Sequence, residues 1–365
     1  MKRFRLALCA LLVTCALAAC GGTQGVPGAA EPPAPQGSGA QQSGGKQALR
    51  DHYLEKANQV TVTDKEVTFS DAACEEGETK TLARGVNDVV ILYPSYTALW
   101  YEAGGTAAGV IGGETSAEQY KYQIGRDITQ DEGVDVVADG VSATHWDIEK
   151  IIGMKPDLII CSPAAKGYST IKGPAEAAGI PVIAVDYENF QDYLKWFKVF
   201  QALGGSDDAR GIAEDTLDQV VQTVLSCPEK GPRTLPLMCG PKSLEAQTAN
   251  TAVGAMLEEM HATNIVDGWP NAHNVDRLDV SMETLVSEQP EKILISHHTA
   301  VTDVVPLVKE RLGADDLWDS LDAVKNDDVY VLDPALFHNR PNHRYAEAYK
   351  ALAEALYGDQ ANGEG

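Results

Sequence analysis

Apolar residues recur at helical spacing in two stretches that share one grammar. In Asp147 to Ser162, DIEKIIGMKPDLIICS, Ile148, Ile151 and Ile152 fall on one helical face. In Ser281 to Ser296, SMETLVSEQPEKILIS, Met282, Leu285 and Val286 do the same. The second copy starts 134 positions after the first, counted from Asp147 to Ser281. Each opens on a helix N-cap residue, Asp147 or Ser281, with Glu149 or Glu283 two positions later. Pro156 or Pro290 ends the helix, an acid follows, and a β-branched run closing on serine reads as a buried strand. Self-similarity at so long an offset marks a duplicated unit. The pattern predicts two similar αβ lobes, each presenting one acidic residue at an equivalent point on its surface.

The remaining hydrophobic pattern fills in the lobes. Lys46 to Gln59 reads as a short polar helix, and Glu66–Ser70 with Thr79–Leu82 as a hairpin around Glu76-Gly77. Asp88 to Tyr93 is a buried strand that breaks at Pro94-Ser95, and Thr97 to Ala103 is helical up to Gly104-Gly105. Ala107 to Ile111 is a second strand, leading into a glycine-containing loop, and Asp135 to His145 is a loop or short strand. A helix at Lys172–Ala178, capped by Gly179, precedes strand Pro181–Val185. Phe190 to Leu203 is amphipathic, with Tyr193, Trp196, Phe197 and Phe200 on one side. Asp207 to Leu225 is a long helical pattern lying between the two repeats. Afterwards the alternation restarts: strand Thr234–Cys239, helix Ala252–Met260, the Ser281 helix, strand Lys292–Ser296, helix Val304–Leu312, strand Val329–Leu332 and helix Tyr345–Tyr357. Such alternation predicts an α/β fold: two similar αβα lobes with mostly parallel sheets, joined by one long rigid helix, with a ligand cleft between them.

Composition changes the picture mainly at the N-terminus. The 365 residues, 44% hydrophobic, suffice for two domains with their own cores. Lys2, Arg3 and Arg5 precede the short apolar run Leu6–Leu17, and Leu17-Ala18-Ala19-Cys20 resembles a bacterial lipobox. Residues 1–20 are therefore expected to be a lipoprotein signal peptide with Cys20 as the lipidation site. Residues 21–46, rich in Gly, Pro, Ala, Ser and Gln, are expected to be a flexible tether. Lobes at 47–205 and 228–357, a connecting helix at 206–227 and a loose tail at 358–365 complete the expected organisation. The folded body is placed on the outer face of the cytoplasmic membrane, held by the lipid. A formal charge of −24 argues against nucleic acid as a partner. Four of the seven cysteines, Cys74, Cys161, Cys227 and Cys239, lie beyond Cys20; no CxxC pair occurs, and the spacing leaves a Cys227–Cys239 disulfide open.

DVVILYPSYTALWYEAGG, DIEKIIGMKPDLII, AAGIPVIAVD, the long helix and the Ser281 copy resemble the solute-binding lipoproteins of ABC importers for iron–siderophore complexes, haem and cobalamin. The likeness runs from about Val67 to Tyr357. It implies two lobes bridged by a single rigid helix, and an ABC permease with its ATPase as partner. It also implies that Glu149 and Glu283 dock onto permease arginines, where exposed ion pairs orient a partner more than they hold it.

Loops after strands supply the expected ligand contacts. In the first lobe these are Tyr93, Ser95, Tyr96, Tyr101, His145, Trp146 and Tyr168; in the second, His297, His298, Phe337, His338, Arg340, His343 and Arg344. Arg340 and Arg344 suit the anionic oxygens of a chelate. Tyr101, His297 or His298 would ligate haem iron; Tyr101 sits where haem-binding members of the family carry a ligating tyrosine, although Glu102-Ala103-Gly104 follows it here. Tyr96, Trp146 and Tyr168 suit either stacking on flat rings, corrin included, or lining an apolar wall. The expected function is capture of a ferric chelate by a monomer, without catalysis and without a resident cofactor, with haem or a corrinoid as alternative cargo. A metal-dependent hydrolase finds no HExxH, GxSxG or P-loop pattern. A tethered scavenger working without a permease is the third reading.

Overall fold

The computed structural model describes residues 38–140, 146–298, 301–313 and 315–358. The expected signal segment with Cys20, the expected tether as far as residue 37, His145 and residues 359–365 lie outside them. Contacts divide the chain into Met1–Gln42 and Ser43–Gly365, and every described sheet belongs to the second unit.

Helix α1 spans Ser38–Tyr53 and α2 spans Glu55–Asn58. The last residues assigned above to the tether are therefore helical, and the helix starts ahead of Lys46. A small antiparallel sheet follows, made of β1 (Thr61–Val62), β2 (Glu66–Phe69) and β3 (Lys80–Ala83). Asp71, its side chain fully buried, ties this hairpin to the first lobe by accepting from Lys80 at 2.6 Å and from the Ala184 amide at 2.9 Å.

The first lobe runs β4 (Val89–Ile91), α3 (Pro94–Glu102), β5 (Gly109–Gly112), α4 (Glu114–Gln123), β6 (Asp135–Asp139), α5 (Ile148–Gly153), β7 (Leu158–Cys161), α6 (Tyr168–Ala177), β8 (Val182–Ala184) and α7 (Phe190–Gly204). Its sheet has the order β6-β5-β4-β7-β8 and is parallel throughout. Pro94 occupies the first position of α3, so the proline that follows the strand also starts the helix, three residues ahead of the expected Thr97. Helix α4 replaces the expected glycine-containing loop. It buries only Ser116 and Tyr120, so its polar sequence ETSAEQYKYQ carries almost no apolar stripe.

Helix α8 (Arg210–Ser226) leads to the second lobe: β9 (Arg233–Cys239), β10 (Leu244–Gln247), α9 (Ala252–Glu259), β11 (Thr263–Asn264), β12 (Arg277–Asp279), α10 (Met282–Glu288) and β13 (Lys292–His297). Then come α11 (Val304–Leu312), α12 (Asp315–Trp318), α13 (Asp322–Lys325), β14 (Val329–Val331), α14 (Pro334–Phe337) and α15 (Tyr345–Tyr357). The strand order is β12-β10-β9-β13-β14, with β11 also on β9. β10 runs antiparallel to both neighbours, so this sheet is mixed where the sequence pattern showed only its parallel strands.

The two repeats fold alike in detail. Asp147 accepts a hydrogen bond from the Lys150 amide at 2.9 Å, and Ser281 accepts one from the Thr284 amide at 3.2 Å. Each unit then leaves its helix through a left-handed residue placed directly before the proline: Lys155 at φ 52° and Gln289 at φ 44°. Neither is glycine, and such a conformation costs a side-chain-bearing residue roughly 1–2 kcal/mol. Both copies bear that cost at the same offset, which chance does not readily supply.

Alternate residues of β4 and β7 face opposite helix layers. Val90, Ile159 and Cys161 pack with Trp146, Ile151 and Ile171, while Val89, Leu158 and Ile160 pack toward Leu99, Trp100 and α7. This second layer continues across both lobes. Tyr345 and Tyr349 of α15 lie 5.0 and 5.8 Å from the Phe190 ring, and Tyr53 of α1 lies 5.1 Å from it. The last helix thus packs on the first lobe as well as on α8, and one core holds the lobes together. Cys74, Cys161, Cys227 and Cys239 are all free thiols.

Candidate functional site

The carboxyl ends of the two sheets meet at Arg340. Its segment follows β14 and α14 in the second lobe and crosses to the first, where Gln123 of α4 donates to the Arg340 carbonyl at 2.6 Å. The guanidinium donates to the Tyr93 hydroxyl at 3.1 Å, to Glu188 at 2.8 Å and to the Tyr187 carbonyl. Tyr93 follows β4, and Tyr187 and Glu188 follow β8, so both partner loops sit at the same edge of the first sheet. The guanidinium carbon also lies 5.3, 5.6 and 5.5 Å from the ring centres of Tyr93, Tyr96 and Tyr187. Burial acts to lower the Arg340 pKa, but the surrounding tyrosines and Glu188 outweigh it and hold the pKa above its usual value.

Neighbouring residues fix this junction. Asn342, buried and left-handed at φ 53°, accepts from the Tyr187 hydroxyl at 3.1 Å and donates to the Ser95 carbonyl at 3.1 Å. The His343 amide and Nδ1 both reach Glu102 at 3.0 Å, and Tyr193 donates to the same carboxylate at 2.5 Å. Arg344 pairs with Glu347 and covers the Tyr122 ring at 4.2 Å. The HNRPNHR run therefore works first as a clasp between lobes. Arg344, expected to hold an anion, is already committed to Glu347.

Imidazoles gather on the second lobe's side. His297 ends β13, and its Nδ1 lies 3.1 Å from the His298 carbonyl. The rings of His298 and His338 are 4.6 Å apart. Together with Glu188, Asp276, Arg277, Phe337 and Arg340, His338 lines a solvent-open pocket of about 110 Å³. Burial, reinforced by His298, Arg277, His297 and Arg340, lowers the His338 pKa to about 4. In the unfolded chain this histidine titrates near the usual ~6.5. Between those values the unfolded state binds the proton and the folded state does not, so stability is lost as pH falls from about 6.5 toward 4. His338→Gln removes that proton linkage. Urea titrations at pH 7 and pH 5 should show the variant losing less stability than the parent, and equal losses would refute the assignment.

Other candidates lie elsewhere. Tyr96 is buried under Tyr93, donates to the Val185 carbonyl at 3.1 Å and has its hydroxyl pushed up to about 12 by burial. Ser95 is buried and accepts from Gln119 at 2.7 Å. Both support the site from beneath. Tyr101 belongs to a different place: six residues along α3 from Ser95, at the far end of the helix, its hydroxyl accepts from the Ala107 amide before β5 at 3.4 Å. It lines a separate pocket with Glu102, Arg126, Ile212 and His343. Burial raises its pKa, away from the tyrosinate that iron ligation requires. Trp146 is buried in the first lobe's outer core layer, where a Cβ on Gly167 would come within 2.3 Å of its ring, and Tyr168 packs beside that layer. Glu149 and Glu283 are exposed in the first turns of α5 and α10, with no hydrogen-bond or ion-pair partner among the described residues. Sequence reasoning missed Tyr187 and Glu188, although the after-strand rule applied to Pro181–Val185 reaches them. It also missed Asn342, whose side-chain amide bridges the Tyr187 hydroxyl and the Ser95 carbonyl from a left-handed backbone. Among the described residues no group of three or more His, Cys, Asp or Glu suits a metal ion, and no helix is long and apolar enough to cross a membrane.

Residues 89–336 match a family model described as Periplasmic binding protein. No curated protein matches the chain. Solved structures share the fold. An ABC transporter substrate-binding protein from Listeria monocytogenes EGD-e is 21% identical with a TM-score of 0.58, covering 75% of this chain and 100% of that one. IsdE of S. aureus, complexed with heme, is 18% identical with a TM-score of 0.57 and the same coverages, 75% and 100%. The triscatecholate siderophore binding protein FeuA from Bacillus subtilis, complexed with ferri-bacillibactin, is 18% identical with a TM-score of 0.57, covering 79% and 97%.

Proposed function

Because the chain belongs to the periplasmic binding protein family, we propose that it is the extracytoplasmic, lipid-anchored binding component of an ABC importer, and that its cargo is a ferric chelate. The observation that carries this reading is Arg340, fixed where the carboxyl ends of both sheets meet and flanked by imidazoles of the second lobe. Three of its five N–H donors are engaged, with Tyr187, Tyr93 and Glu188, which leaves two for the anionic oxygens of a chelate. The bound species in the heme and ferri-bacillibactin complexes support a metal chelate as the class. Cys20 carries the anchor, Glu149 and Glu283 meet the permease, and the chain works as a monomer. The role is capture and release, with no bond made or broken in the cargo.

A second reading, haem, draws on the imidazoles: His297 or His298 would reach the iron. Tyr101, placed at the other end of α3, does not support it. The deciding experiment titrates the chain from Gly21 onward with a ferric tris-catecholate, with haemin and with cyanocobalamin. The expected result is quenching of tryptophan fluorescence at micromolar tris-catecholate, with no Soret shift on adding haemin. A Soret shift alone would move the assignment to haem, a corrin shift alone would move it to cobalamin, and silence with all three would remove the proposal.

A further inference from the structure

Glu188 is bound to Arg340 in a way that the arginine does not need. The guanidinium is held by the Tyr93 hydroxyl, the Tyr187 carbonyl and three tyrosine rings, and its backbone is held through Gln123. Glu188 adds one contact at 2.8 Å from a side chain that is 64% exposed, whereas the Arg340 side chain is 21% exposed. Its main chain is anchored independently, since the Glu188 amide donates to Asp192 at 3.0 Å, so the carboxylate can swing away without disturbing the loop. Asp186, Asp192 and Asp276 surround it with further negative charge, and Arg340 is its only ion-pair partner among the described residues. Both residues line the same solvent-open pocket.

We propose that Glu188 is a built-in stand-in for an oxyanion of the cargo: it occupies Arg340 in the empty cleft and is displaced when an anionic chelate arrives. This rests on the chelate-binding role proposed above and narrows it to cargo bearing a carboxylate, catecholate or similar oxygen. Displacement is cheap because an exposed ion pair contributes little, while the incoming oxygens gain a preorganised, largely desolvated guanidinium. The stand-in tempers affinity for anionic cargo, which must take Arg340 from it, and leaves neutral cargo, which does not call on the guanidinium, unaffected.

Glu188→Gln keeps the side chain's shape and removes its charge. Fluorescence titration of parent and variant should compare a trianionic ferric tris-catecholate with a neutral ferric tris-hydroxamate. The variant is expected to bind the tris-catecholate about three- to fivefold more tightly and the tris-hydroxamate within about twofold of the parent. Unchanged or weaker tris-catecholate binding by the variant, or an equal gain for both chelates, overturns the inference while leaving chelate capture standing. Binding of neither chelate by either protein overturns the capture role itself. Glu188→Ala, which cannot hydrogen-bond at all, should show the same direction; a gain in the glutamine variant alone would also overturn the stand-in.

Discussion

Replacing Glu149 and Glu283 together by arginine is expected to stop uptake of cargo in cells that depend on this chain, with cargo binding unchanged. Both carboxylates are exposed, occupy the same position in the two repeats and have no partner among the described residues. Each sits in the first turn of a helix preceding a strand that is parallel to its main neighbours, which puts both at the carboxyl edges where the sheets meet. A single exposed pair with a permease arginine contributes ~0.2–1 kcal/mol. Charge reversal does more, since it sets like charges against each other at two points and costs several kcal/mol in a docked complex. Uptake should therefore fall by roughly tenfold or more. The measurement pairs labelled-cargo uptake in cells with titration of the purified variant. Full uptake by the double variant would favour a scavenger that needs no permease.

Arg340→Lys is expected to destabilise the protein by about 2–4 kcal/mol, although the charge is kept. A lysine ammonium cannot reach the Tyr93 hydroxyl, the Tyr187 carbonyl and Glu188 at once, nor lie flat among three rings. The Glu188 arm of this loss is small because that carboxylate is well exposed. Most of the cost comes from the buried carbonyl and the tyrosine cage. Urea unfolding of the two proteins gives the difference directly, and a loss below ~0.5 kcal/mol would mean that the clasp contributes little to holding the lobes together.

Legibility in the sequence followed the strength of each physical signal. The αβ repeats were readable because capping residues, helical apolar spacing and the prolines all agreed, and α7 was readable because Tyr193, Trp196, Phe197 and Phe200 make a broad apolar face. Helix α4 was hidden by its polar sequence, and β10 by its shortness and half-exposed start. At the site, spacing places residues in loops but does not give the partners of their side chains. Spacing can place Arg340 and Arg344 in the same loop, but only coordinates reveal that Glu347 occupies Arg344. Tyr101 lies apart from Arg340 for a geometric reason: nearly two turns of helix carry it from the carboxyl edge of the sheet toward the amino edge. For Trp146 the sequence left a stacking surface and an apolar wall both open, and only its burial against Gly167 shows it packed in the core.

The matched pair Lys155 and Gln289 bears on ancestry. Around them the letters have drifted, so that an isoleucine in one half answers a methionine or leucine in the other. The backbone angle is left-handed in both halves, where the chain must reverse from helix to strand in few residues. What the two halves share is thus a bend more than a spelling. Other traces of the common origin should be sought by aligning torsion angles along the halves, where amino-acid identity has already worn away.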